Sequence, residues 1–335
     1  MGWMNQDVLM TLGNRAAGMA LMMMLAPAAG AQAHSLEDVS FTGPLLTPSP
    51  STLPQGSFFA QPYWIQTHTT GRYDGNGDRH ALDNSVDTSL LSVLLSAGLT
   101  DRLAGELVLD SARTTQGRQH SDGFRLADSA VRLRYLLHEG DALTSKPAIA
   151  VMLGQSLPTG RYDGLGENLL NGQGEGAWRS NVSLLGQNYH WLPNGRPLRW
   201  RWQARWSPSP RDVSVHGRSV HGTDRSFRGH LSPGVALSAA LGLEYSINAN
   251  WALAMDLSAS RQSGAVLDGT ALDPDGQRGH VERHDGASRS FSVAPALEYS
   301  LSDHVGFLVG VQASLPGGRN SASYVSPQAS MTVSF

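Results

Sequence analysis

Two short segments place arginine on alternate residues, with large apolar side chains between. In LRWRWQARW, Arg199, Arg201 and Arg205 share one parity, while Leu198, Trp200, Trp202 and Trp206 share the other. Ala127–His138 sets Arg132 and Arg134 against Val131, Leu133, Tyr135 and Leu137. Acids follow the same rule: Glu106 and Asp110 oppose Leu103, Leu107 and Leu109, Glu244 opposes Leu243, Asp256 opposes Met255, and Glu298 opposes Leu297. Guanidinium and carboxylate groups gathered on one side of extended chain can pair with one another and fill an interior. They can also form a wall that sorts solutes by charge. Both roles stay open for these ten residues as pore-lining candidates.

A second group sits in connecting segments. TGRYDG occurs at 70–75 and again at 159–164. This gives two candidate triplets, Arg72, Tyr73, Asp74 and Arg161, Tyr162, Asp163. They fit a ligand-gathering rim, or simply shared turn chemistry, since glycine and proline end strands. Asp74-Gly75-Asn76-Gly77-Asp78 begins like a calcium loop, but Arg79 stands where that loop requires glycine and Ser85 where it requires glutamate. The histidines lack metal-ligand spacing and cysteine is absent, so neither a metal nor a cofactor is expected. Ser, His and Asp are plentiful in the connections, yet no motif singles out a nucleophile.

Alternation at period two means strands, and strands must position these groups. The clearest case is Leu237–Ser260, two arms around Asn248–Asn250, each with one oily and one polar face. Each arm is long enough for the roughly 9–11 residues that cross a bilayer as a tilted strand. Similar stretches are Phe58–Thr67, Val86–Leu99, Leu103–Asp110, Ala127–His138, Pro147–Gln155, Ala177–Trp191, Leu198–Trp206, Ser290–Leu301, Val305–Ser314 and Tyr324–Phe335. Short turns then alternate with long connections, among them His68–Ser85, Ser207–His230 and Arg261–Ala287. The expected fold is all-β, an up-and-down antiparallel transmembrane barrel of about twelve strands. Arginine on the lipid face would cost roughly 2–4 kcal/mol at the midplane, so the charged parity is expected to face the lumen.

The chain has 335 residues, 16% of them charged, and a net charge of −3, which gives no field suited to nucleic acid. Ala16–Gly30 reads as the apolar stretch of a signal peptide, and Ala31-Gln32-Ala33 as its cleavage site. The expected division is 1–33 signal peptide, 34–56 Pro-rich segment and 57–335 barrel. Pro44, Pro48, Pro50 and Pro54 exclude a helix or central strand from the second part. It is either a periplasmic tail or a partial plug of the lumen. Expected partners are outer-membrane lipid, the barrel assembly machinery and a small solute. No feature fixes an oligomeric state.

FTGPLLTPSPSTLPQGSFFAQPY at 41–63 and SLPTGRYDGLGEN at 156–168, with repeated hairpins (LEYS at 243–246 and 297–300) and terminal Phe335, resemble the outer-membrane transporter family named for the meta-pathway of phenol degradation. The resemblance implies passive passage of small hydrophobic or aromatic compounds across the outer membrane of a Gram-negative cell, and it brings no catalytic residues. A structural or adhesive surface barrel, or an outer-membrane hydrolase, are the other readings.

Overall fold

The computed structural model describes residues 39–335. The expected signal peptide and its cleavage after Ala33 lie outside the described residues. Twelve strands carry the alternating pattern: β1 (Phe58–Tyr73), β2 (Arg79–Thr100), β3 (Leu103–Gln116), β4 (Ser129–His138), β5 (Ala148–Leu157), β6 (Arg179–Trp191), β7 (Pro197–Ser207), β8 (Ala236–Ser246), β9 (Trp251–Gln262), β10 (Ser288–Ser300), β11 (Val305–Ser314) and β12 (Ser321–Ser334). Each pairs antiparallel with its neighbours in sequence, and β12 pairs with β1. The sheet therefore closes on itself and has no free edge.

Why these residues build a barrel is visible in what each parity meets. Leu133, Leu153, Leu241, Leu257, Val309 and Met331 all point outward and are exposed. In water such a belt would cost far more than a folded protein's net stability; in hydrocarbon it costs nothing. The inward parity is small or polar and buried, with Glu244 and Asp256 at 0% exposure and Glu298 at 1%. Five short connections lie at one end, with the two chain ends of the barrel. There Phe58 and Phe335 exchange backbone hydrogen bonds (3.2 and 2.8 Å) and their rings stack at 4.7 Å.

At the other end the structure departs from the expected loops. His68–Ser85 is no loop: β1 and β2 run on to a five-residue turn at 74–78. Past the membrane edge the side chains turn polar, as at His68 and Asp87, so the apolar alternation stops while the backbone ladder continues. The connections at 208–235 and 263–287 carry a second, four-stranded antiparallel sheet of Val213–His216, Arg228–Ser232, Val266–Leu272 and Arg278–His284. Its inner face buries Val213, Val215, Leu231, Leu267 and Ala271 around Phe227 and Ala177. The strand expected from Ala177 begins at Arg179, with its register set by Arg179 opposite Ser156 and Val182 opposite Trp206.

Candidate functional site

The inward parity of β3, β4 and β7–β10 brings together the charged residues singled out from the sequence. Arg199 and Glu244 are directly opposed on β7 and β8 and form a close ion pair, with Arg199 Nε 2.8 Å from Glu244 Oε2. Arg201 Nε reaches the same carboxylate at 3.4 Å and donates to Gln187 Oε1 at 2.8 Å. Arg134 pairs closely with Glu106 and also donates to the carbonyl of Ser49. Each of these ions is buried, and each has an opposite charge, as burial requires.

Two further carboxylates have no guanidinium partner among the described residues and take backbone amides instead. The amides of Thr42 and Gly43 donate to Glu298 Oε2 at 2.5 and 3.0 Å. Those of Leu46 and Thr47 donate to Asp256 at 3.1 Å each, and the Thr47 hydroxyl adds a bond of 2.6 Å. The Pro-rich segment is thus held against the inner wall. Arg199 also lies 4.1 Å over the Phe41 ring, a cation–π contact. Leu45 packs with Ala254, Ala294, Ala296 and Leu308 from three strands.

Room for the segment comes from inward glycines. A Cβ on Gly242 would stand 2.9 Å from Pro44 and 3.2 Å from Thr47, and one on Gly310 2.6 Å from Leu45. A side chain at Gly306 would strike Thr42. Sequence reasoning missed these glycines and Phe41. The available signal was glycine on the parity that otherwise carries Glu244 and Leu308.

Beside the segment lies a cavity of about 720 Å³, and toward the long connections a second of about 550 Å³. Arg132, Arg205 and Val108 line both. Asp110 lines only the outer one, and its buried Oδ1 has no hydrogen-bond partner among the described residues. Tyr63, Ile65 and Leu94 give the inner cavity an apolar side.

The two loop triplets are not brought together. Arg72 and Tyr73 end β1, and Tyr73 is buried; Asp74 opens the turn, its Oδ1 accepting the amides of Asn76, Gly77 and Asp78 at 2.8, 2.9 and 3.0 Å. The bond from His80, then these amides, hold its carboxyl down at about 2. The calcium-like spelling is a turn in which the first carboxylate binds its own backbone. Arg161, Tyr162 and Asp163 belong to the connection between β5 and β6. There the Tyr162 hydroxyl donates to Ser214 O at 3.1 Å, and Asp163 accepts the His216 amide at 3.0 Å. Partial burial, and then the charge of Asp163, raise the Tyr162 hydroxyl above its ordinary value.

A closed twelve-stranded antiparallel barrel with an apolar outer belt and a charged lumen is a β-barrel membrane protein by construction. Among solved structures, an outer membrane channel from Pseudomonas putida F1 is similar over 85% of this chain and 97% of its own, at a TM-score of 0.59 and 16% identity. A NanC porin (TM-score 0.41, 9% identity, 81% of this chain and 98% of that one) and a mutant of the TodX monoaromatic hydrocarbon channel (0.38, 13%, 85% and 92%) overlay more loosely. At these identities the likeness is one of fold. No protein-family model matches the sequence, and no curated protein matches it significantly.

Proposed function

We propose that the protein is an outer-membrane channel for passive passage of small hydrophobic or aromatic molecules, with residues 42–53 as a plug in the lumen. The observation that carries this is the pair of cavities meeting at Arg132 and Arg205 inside a closed barrel, with the Pro-rich segment along the inner one. The first has the volume of a small-molecule site. The fold likeness to an outer membrane channel supports the reading. So do the sequence blocks 41–63 and 156–168, which resemble the phenol meta-pathway transporters. On this reading the ten charged residues divide between holding the plug and lining the path, the protein works without catalysis, and the assembly machinery receives it through β12 and its terminal Phe335.

The test pairs conductance with uptake. Purified protein lacking residues 42–53 should conduct in planar bilayers well above the full mature chain. Cells lacking the gene should take up a labelled aromatic more slowly than complemented cells. Silence of both proteins in the bilayer, together with unchanged uptake, would overturn the channel reading.

A further inference from the structure

We infer that the junction of the two cavities is a binding site for a small organic anion, a carboxylate carried on an apolar body. This deepens the channel reading and rests on it for the site's purpose. Arg132 on β4 and Arg205 on β7 line both cavities, so any solute moving between them passes these two guanidinium groups.

Their charge is poorly compensated. Arg132 Nη1 stands 3.7 Å from Glu106 Oε2, but that carboxylate is already engaged by Arg134 in a closer pair. Among the described residues Arg205 has a single hydrogen-bond partner, the Ser183 hydroxyl at 3.4 Å, and no carboxylate within ion-pair distance. Deeper in the lumen Arg134, Arg199 and Arg201 each meet an acid, while Arg179 of the outer cavity donates to the Gly234 carbonyl at 3.1 Å. The carboxylates of the outer cavity, Asp110, Asp128 and Glu175, do not line the inner one.

Two partly desolvated guanidinium groups facing one space attract a planar carboxylate, which each can grip through a fork of N–H donors. Beside them in the inner cavity lie Tyr63, Ile65 and Leu94, a surface suited to an aromatic ring or short alkyl body. A polar head on the arginines and an apolar body along this wall fit one amphipathic anion better than a neutral hydrocarbon.

The site can be probed with benzoate, benzamide and acetate, titrated calorimetrically into the full mature chain in detergent. Benzoate should bind at least tenfold tighter than benzamide, which lacks the charge, and than acetate, which lacks the ring. The double variant Arg132→Gln with Arg205→Gln should erase the preference over benzamide. Arg132→Lys with Arg205→Lys should keep part of it, and heat-dependent gel mobility checks that each variant is folded. Equal binding of benzoate and benzamide, or a preference that survives in the glutamine pair, would overturn the inference. Acetate binding as tightly as benzoate would reduce the site to one for any small carboxylate and overturn the part given to the apolar body. Benzoate binding by a protein that conducts nothing, even without residues 42–53, would leave the anion site standing and remove the channel reading.

Discussion

The two halves of the lumen use the same residue types on the same strand parity and come to opposite states. In the inner half Glu244, Asp256 and Glu298 are almost fully enclosed, and each has its donors: two arginines, or four amides and two hydroxyls of the Pro-rich segment, with Glu298 Oε1 alone left without one among the described residues. From the cavity junction outward, Arg132 and Arg205 have only long contacts, 3.7 Å to Glu106 and 3.4 Å to Ser183, and one buried oxygen of Asp110 has no hydrogen-bond partner among the described residues. Enclosure makes the first group structural, because a buried charge without a partner is intolerable. Loose contacts leave Arg132 and Arg205 available, because a guanidinium facing a cavity can take a further acceptor. What separates a fully held charge from a loosely held one here is direct contact with residues 41–49, a part of the chain far away in sequence.

That contrast is testable in order of expected effect. Removing Glu244 as Glu244→Ala leaves Arg199 and Arg201 buried without their shared acid and should cost about 3–5 kcal/mol of barrel stability in urea unfolding. Arg132→Ala, in the outer half, should stay within about 1 kcal/mol. Equal costs would break the distinction between the halves. The double variant Asp256→Asn with Glu298→Gln should spare the barrel and loosen the plug. At about 1.5 kcal/mol lost per charge-assisted acceptor, the bound-to-free ratio of the segment falls on the order of a hundredfold. Protease cleavage within residues 42–53 measures this directly, and an unchanged rate would show that the carboxylates do not hold the segment. Next in size, Gly242→Val forces a side chain into the space of Pro44 and Thr47 and should cost about 1–3 kcal/mol. The cost should shrink in protein lacking residues 42–53. If it persists, the glycine serves the barrel wall and not the segment.

How far the sequence alone reaches follows from the same contrast. Strand parity is a local property, so the outward leucines, the inward charges and the twelve barrel strands could be read from alternation. The close pairing of Arg199 with Glu244 needs only adjacent strands in register. Glu298 and Asp256 look no different in sequence from Asp110, yet they hold backbone amides about 210 to 256 residues away. Glycine 242 reads as one more small residue until Pro44 is seen against it. The external sheet was lost for a different reason. Val213, Val215 and Leu231 do alternate, but over strands of four and five residues, too short for the period to stand out. The long β1–β2 hairpin hid because its outer part is polar on both faces, so hydrogen bonding alone continues the ladder.

A smaller change is expected at the tip of that hairpin, where a carboxylate is held outside the membrane. Asp74 sits in its surface turn with 30% of its side chain exposed, and the His80 bond and the amides of the turn outweigh desolvation, holding its carboxyl at about 2, below an ordinary value of 3.8. A carboxyl depressed on folding contributes order that is present above 3.8 and lost as the pH falls through about 2. Amide exchange at Asn76, Gly77 and Asp78 should therefore accelerate between those limits beyond the intrinsic pH trend, and Asp74→Asn should weaken that acid-dependent step. The lumen acids should show no change over the same interval in plug cleavage by an acid-stable protease if enclosure, and not bulk pH, governs them. Parallel loss of the turn and release of the segment would mean that the inner half of the lumen is open to solvent protons, and the line drawn between the two halves would have to move inward.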